Sequence, residues 1–174
     1  MNLIKKTNNM ASITLGGNPI NTSGELSKIG SKLADFNLVK NDLSIATLAE
    51  FAGSRLILNI FPSIDTGTCA ASVRKFNVEA AGLTNTKVLC ISRDLPFAQK
   101  RFCGAEGIEN VINLSDFKDG SFGKNNGLEI TDSVLAGLHS RVIIVVDENG
   151  TITHTEQVPE IADEPNYEAA LAVL

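Results

Sequence analysis

The apolar positions of this chain fall into short runs separated by glycine, proline and small polar residues. The spacing within each run indicates which element it forms. Ser12 to Leu15 and Ile20 to Thr22 flank Gly16-Gly17-Asn18-Pro19, which predicts an N-terminal β-hairpin. Gly24 to Lys32 is polar and predicts a loop, Phe36 and Leu38 predict a short strand, and Leu48 to Phe51 predicts one helical turn closed by Gly53. Leu56 to Phe61 is a near-continuous apolar run, the pattern of a strand buried on both faces. The period then changes. Ala70, Val73, Phe76 and Ala80 recur at three- and four-residue steps, predicting a helix from about Thr68 to Ala81 with Gly82 as its C-terminal cap.

Val88 to Ser92 predicts another buried strand. Asp94 is placed to cap the helix that follows, with Pro96 in its first turn, where a missing N–H costs little. That helix is expected to run to about Phe102 and to end at Gly104. Asn110 to Leu114 predicts a short strand, and the glycine-rich stretch from Asp116 to Thr131 predicts mostly loop. Arg141 to Val146 and Thr151 to Glu156 flank Asp147-Glu148-Asn149-Gly150, whose Asn-Gly pair is a strong hairpin signal. Tyr167 to Leu174 predicts a last amphipathic helix, starting near Pro165. Helices interleave with strands and a hairpin closes the series, which defines an α/β fold with a central mixed β-sheet flanked by helices. There is no internal repeat, low-complexity tract or interdomain linker. Residues 12–174 are therefore expected to form one domain, and residues 1–11 a disordered N-terminal extension.

Composition narrows the function. At 174 residues the chain is long enough for one substantial core, and 43% hydrophobic with 20% charged is ordinary for a globular protein. The net charge of −5 argues against nucleic acid or an anionic membrane as the main partner. No run of Lys and Arg is longer than a pair such as Lys5-Lys6 or Arg74-Lys75, and the apolar runs are strand-length, too short to span a bilayer. Residues 1–10 carry two lysines but no apolar segment of the kind a secretion signal needs. The chain has 3 cysteines, an odd set that fits a thiol protein of the reducing cytoplasm better than a disulfide scaffold.

Cys69 stands out among them because it falls in or just before the first turn of a helix leaving the end of a strand. First-turn N–H groups have no internal partners, and the helix dipole makes that end partly positive, so a thiolate placed there is stabilised. Thr66 lies three residues earlier, where its hydroxyl can face the same pocket or cap the helix. Ionisation alone achieves little. A cysteine of pKa ~8.5 is a few per cent thiolate at pH 7, and lowering its pKa to ~6 raises that roughly thirtyfold. The accompanying loss of nucleophilicity cancels roughly tenfold of this gain. A fast reaction at such a cysteine needs donors that orient the substrate and stabilise the leaving oxygen.

The residues around Cys69 carry a resemblance. Pro62-x3-Thr66-x2-Cys69 is similar to the active-site signature of peroxiredoxins, and the run from Asn59 to Asn77 resembles the thiol peroxidase subfamily in particular. Leu89 to Ser92, Leu95 to Gly107 and Pro165 to Leu174 resemble it too, so the likeness covers roughly Ser12 to Leu174. It implies a thioredoxin-like fold with an added N-terminal β-hairpin. It also implies a thiol-dependent peroxidase that reduces hydrogen peroxide and organic hydroperoxides and is itself re-reduced by thioredoxin. By resemblance, Cys69 is the peroxidatic nucleophile and Cys103 the resolving cysteine, which forms an intrachain disulfide. Thr66 hydrogen-bonds the thiolate and the peroxide, Arg141 is aimed at the thiolate, and Pro62 shields it from bulk water. The family tendency is a homodimer. No cofactor is implied, because the cysteines carry the redox equivalents.

Without the resemblance, Arg141 reads as a solvated charge at a strand end, and Cys103 as a second buried thiol. Cys90, inside the run Val88 to Ile91, reads as packing material. A metal site is not expected: the cysteines lack a Cys-x2-Cys spacing, and His139 and His154 do not pair, His139 being expected in an exposed loop. Two other functions remain open. A disulfide oxidoreductase of the same fold needs a Cys-x2-Cys at this helix start, where this chain has Thr66. A peroxide-sensing switch needs only an oxidisable Cys69 and a partner that reads the change.

Overall fold

The computed structural model describes residues 10–174; the expected N-terminal extension lies mostly outside the described residues. A two-stranded hairpin, β1 (Ser12–Leu15) and β2 (Asn18–Asn21), precedes the main sheet. β3 (Asn37–Lys40), β4 (Ile45–Thr47) and a 3-10 turn at Leu48–Phe51 lead to β5 (Arg55–Ile60) and α1 (Gly67–Ala80). β6 (Thr86–Ser92), α2 (Pro96–Glu106), β7 (Ile112–Ser115) and α3 (Ser121–Asn125) follow. β8 (Val142–Val146), β9 (Ile152–Gln157) and α4 (Tyr167–Leu171) complete the chain. The main sheet has seven strands in the order β4-β3-β7-β6-β5-β8-β9. β5, β6 and β7 are parallel, and the outer pairings are antiparallel, so the sheet is mixed.

Strand side chains alternate between faces, and both faces are covered. Leu56, Leu58 and Ile60 of β5 join Ile91, Leu114, Ile144 and Phe122 on one side. Ile57 and Phe61 join Val73 and Phe76 of α1 and Phe102 of α2 on the other. Phe76 is fully buried and meets Tyr167 of α4 edge-on at 5.2 Å between ring centroids. Burial of one such aromatic stabilises the fold by roughly 2–3 kcal/mol. The hairpin packs through a third, smaller cluster of Ile13, Ile20, Ile130 and Ile161. Its turn is Gly16-Gly17, with φ of 59° and 79°, left-handed values that two glycines adopt without strain.

The structure moves several predicted boundaries. Gly82 does not cap α1; Ala81 takes that position with right-handed helical angles. α2 passes through Gly104 and ends at Gly107, whose φ of 64° supplies the left-handed cap. A glycine inside a helix costs only about 1 kcal/mol, so Gly104 does not stop it. Cys103 therefore lies within the last turns of α2 rather than at its end. The stretch 116–131 contains the short α3, and α4 stops at Leu171. Asp94 is not the cap of α2. Leu95 occupies the N-cap position, with no side-chain cap bond. Pro96 forces the residue before it into extended backbone and removes one unpaired N–H, so the helix begins there without a carboxylate.

Candidate active site

The parallel pair β5–β6 and the antiparallel pair β5–β8 build the site between them. Ile60 is paired with Val142, which brings Arg141 beside the end of β5, where Phe61 and Pro62 lead into the loop. That loop turns at Ser63, whose carbonyl accepts from the Thr66 N–H and, at 3.0 Å, from the Thr66 hydroxyl. Thr66 is the N-cap of α1 in extended backbone, and Cys69 follows in the first turn, fully buried.

Arg141 is inside the protein, 2% exposed. Its Nη2 donates to Cys69 Sγ at 3.5 Å, and its Nε donates to the Ile161 carbonyl at 3.0 Å. Its Nη1 is buried and has no partner among the described residues. Among the described residues no carboxylate forms an ion pair with Arg141. A buried guanidinium is costly unless its protons are used. Here one is turned to sulfur, and another nitrogen is left free. The expectation of a solvated charge, drawn without the resemblance, is corrected: β9 and the loop after it fold over the strand end and bury it.

A cavity of about 340 Å³ opens above this group. Thr66, Thr68 and Arg141 give it polar lining, and Leu15, Pro62, Leu135, Leu138 and Ile161 give it apolar lining. The Thr68 hydroxyl donates to the Ala162 carbonyl, which fixes the wall against the start of α1. Thr66 reaches the cavity but does not bond Cys69, because its one hydroxyl proton is committed to Ser63. Its oxygen remains free to accept. Pro62 is buried beside the loop and has no N–H to solvate, so it adds a dry wall.

The three thiols are free, and their surroundings differ. Cys90 is fully buried in β6, where burial pushes its thiol up to about 12 against the opposing Asn59 donation. Cys103 is half-buried, and burial raises its thiol above the usual range. Asn113 of β7 donates to Cys103 Sγ at 2.9 Å. Asn59, Cys90 and Asn113 are register partners across β5, β6 and β7, forming a polar row beneath α1 and α2. Asn59 also donates to the Ser72 hydroxyl, which donates to the Cys69 carbonyl. These partners are not legible in a linear pattern, since strand register alone brings them together. Tyr167 was also not singled out; burial pushes its phenol above the usual range, and it packs against Phe76 of α1.

His139 is not in an exposed loop. It is fully buried, its Nε2 lies 3.2 Å from Asp116 Oδ2, and it stacks edge-on with Phe122. Gly123 permits this approach: a Cβ there would lie 2.5 Å from His139 Cε1. Among the described residues no three His, Cys, Asp or Glu side chains group as a metal site, and no helix is long and apolar enough to cross a membrane.

A buried cysteine in a first helical turn, under a buried arginine on a mixed sheet, defines a thiol redox protein of thioredoxin-like fold. The comparisons carry this further. The Redoxin family model matches residues 28–171. A thiol peroxidase of Corynebacterium glutamicum is 56% identical over 165 residues, covering 95% of this chain and 99% of the relative. One of Mycobacterium bovis is 55% identical over the same shares. A solved peroxiredoxin-like protein of Aquifex aeolicus superposes with a TM-score of 0.88 at 35% identity, over 94% of this chain and 96% of its own. The chain belongs to the redoxin family and, within it, to the thiol peroxidases, enzymes that reduce peroxides through a thiol.

Proposed function

We propose that Cys69 is the peroxidatic nucleophile, Cys103 the resolving cysteine, and Arg141, Thr66 and Pro62 the groups that make peroxide reduction fast. The observation that carries this reading is the Arg141 guanidinium, buried and 3.5 Å from Cys69 Sγ at the foot of a cavity. The Cys69 thiolate attacks the terminal oxygen of the peroxide. An S–O bond forms and the O–O bond breaks, leaving a sulfenic acid. The departing oxygen takes up a proton and leaves as water or an alcohol. The free Nη1 of Arg141 stabilises the charge on that oxygen, and the Thr66 oxygen accepts the peroxide O–H and fixes its direction. The apolar wall of the cavity accommodates the carbon chain of an organic hydroperoxide as well as H2O2.

The Cys103 thiol then attacks the Cys69 sulfenic sulfur. An S–S bond forms, the S–O bond breaks, and hydroxide leaves with the thiol proton as water. A dithiol protein, thioredoxin, reduces the resulting disulfide in the cytoplasm. No cofactor enters any step. Leu95, Phe97 and Val134 expose 50%, 64% and 91% of their surface. Arg93 bonds the Gly137 carbonyl, which links the two segments they stand on. This apolar set is the face for the homodimer that the resemblance implies, and sedimentation of Phe97→Glu as a monomer is the check.

The test of the reaction is NADPH consumption with thioredoxin, its reductase and either H2O2 or an organic hydroperoxide. Cys69→Ser is expected to abolish turnover, Cys103→Ser to stop it after one equivalent with thioredoxin as reductant, and Cys90→Ser to leave it nearly intact. Equal loss in Cys69→Ser and Cys90→Ser sinks the assignment. A parent protein that stops after one equivalent is a sensor and not a thioredoxin-coupled peroxidase.

A further inference from the structure

Asp94 is not used as a cap, and its carboxylate does something else. It accepts from the Ser63 hydroxyl at 2.7 Å, from the Ile64 N–H at 2.7 Å and from the Ser92 hydroxyl at 2.6 Å. Two of these donors belong to the loop between β5 and α1. The third belongs to the end of β6. Ser92 in turn accepts from Gln99 Nε2 at 3.1 Å, and Gln99 is a fully buried residue of α2, the helix that carries Cys103. The same Gln99 nitrogen donates to the Leu114 carbonyl of β7. The Asp94 carbonyl is held as well, by the Ser115 hydroxyl. One carboxylate is thus tied on one side to the Cys69 loop and on the other to the base of α2.

We propose that Asp94 is a positioning residue for peroxide reduction: it holds the Ser63–Thr66 turn in the geometry that Cys69 oxidation requires. The inference rests on the reading that Cys69 is the peroxidatic nucleophile. The Ser63 hydroxyl is bonded to Asp94, and the Ser63 carbonyl accepts both the N–H and the hydroxyl of Thr66. The position of Thr66 in the cavity is therefore set two bonds away, by Asp94. Hydrogen bonds to an ionised group are the short, strong kind, and two of them on adjacent residues fix a loop in direction as well as place. Among the described residues Thr66 has no other anchor of this sort: it is exposed, and its hydroxyl bonds only within the turn. A displacement of about 1 Å at a reacting group can cost on the order of 100-fold in rate.

The placement has a second consequence. The bonds that fix the turn also attach it to α2 through Ser92 and Gln99. Loosening Asp94 frees the turn and the base of α2 together. The two chemical steps are then expected to respond in opposite senses. Oxidation of Cys69 needs the turn held, whereas disulfide formation needs the two reactive segments to leave their packed positions. A general loss of stability has no reason to slow the first step while sparing the second.

The experiment measures both steps separately, by rapid quench with thiol labelling and mass spectrometry on the full chain. Asp94→Ala is expected to slow Cys69 oxidation by H2O2 about ten- to hundredfold. The conversion of sulfenic acid to disulfide is expected to proceed at the parent rate or faster. Asp94→Asn keeps one acceptor for the Ile64 N–H and can donate to the Ser63 hydroxyl, so it is expected to recover most of the oxidation rate. Ser63→Ala removes one bond from the other side and reads the same contact if Asp94→Ala does not fold. An unchanged oxidation rate in Asp94→Ala, or in Ser63→Ala should the former not fold, overturns the proposal. So does an equal slowing of both steps. Cys69→Ser separates this failure from that of the underlying reading. Peroxide consumption persisting in Cys69→Ser means that Cys69 is not the nucleophile. Consumption lost there, with oxidation in Asp94→Ala at the parent rate, removes Asp94 alone.

Discussion

Arg141 shows how much a single side chain must satisfy here. Its Nε is bonded to the Ile161 carbonyl and its Nη2 to the Cys69 sulfur, and its Nη1, without a partner among the described residues, is the atom we propose for the substrate. Only a planar fork of fixed donors serves three directions at once; an ammonium on a flexible stem does not. Arg141→Lys keeps the charge and loses the fork. The rate of Cys69 oxidation in this variant is expected to fall about ten- to hundredfold, with the fold intact by circular dichroism. Rapid-mixing kinetics check this, and a parent-like rate would falsify the role. At this scale the chain was legible where the relevant neighbours are close in sequence. Thr66 and Cys69 are three residues apart, and the loop that carries them can be read directly. Arg141 was assigned only through the resemblance, because the bond to Ile161 that buries its head spans 20 positions. His139 and Asp94 depart from their sequence-based expectations for a similar reason. Their partners, Asp116 and the Ser63–Ile64 turn, come from other elements, and a local pattern sees only an exposed histidine and a helix cap.

At the scale of elements, Cys69 and Cys103 are held on different helices. Cys69 lies in the first turn of α1, and Cys103 lies in the last turn of α2. The two helices are joined near the end of α2 by Arg74 and Glu106, a two-pronged pair at 2.8 and 3.0 Å. Just beyond α2, the Asn77 side-chain oxygen accepts the N–H groups of Glu109 and Asn110. The ion pair is surface-exposed and worth little, so these ties locate the end of α2 without locking it. A disulfide requires Cα atoms within about 7 Å and converging Cβ vectors. The proposed peroxide pocket requires Cys69 to stay in its turn under Arg141. The two demands separate in time if both segments open after the sulfenic acid forms, and helix ends are the parts of a fold with the lowest cost of opening. Oxidised protein is expected to yield a Cys69–Cys103 peptide from one chain, with faster amide exchange over residues 68–73 and 101–107. An interchain Cys69 disulfide, or unchanged exchange in both segments, rejects local opening. The period of the apolar residues marks α1, and Pro96 marks the start of α2. Neither signal shows how far α2 runs, because Gly104 and Gly107 look alike in sequence and only the second adopts the left-handed cap.

For the molecule as a whole, the hairpin must stay closed on the sheet for the cavity to have a complete wall, since Leu15 stands at its edge. The hairpin is attached through the Glu160 carboxylate, which accepts from the Gly17 N–H, the Thr14 hydroxyl and the Gly16 N–H at 2.9, 2.8 and 3.1 Å. It also accepts from Ala162 N–H at 3.2 Å, the residue whose carbonyl bonds Thr68 at the start of α1. The backbone donation from Gly17, followed by the Thr14 hydroxyl, holds Glu160 well below the usual glutamate value of 4.5, at about 2. A carboxylate whose folded value is depressed stabilises the fold above its unfolded pKa, and that contribution is lost as pH falls through the folded one. Glu160→Gln removes the charge and turns an amide N–H toward backbone donors. The parent protein is therefore expected to melt above the variant by a constant margin at all pH values above about 4.5. The margin should shrink steadily below that and be small near pH 2, where the folded carboxylate is itself half protonated. Melting curves of the two proteins from pH 7 to pH 2 measure it directly. A margin that persists unchanged at pH 2, or is absent at pH 7, shows that the hairpin is held by its isoleucine cluster alone and that the carboxylate adds nothing to closing the cavity.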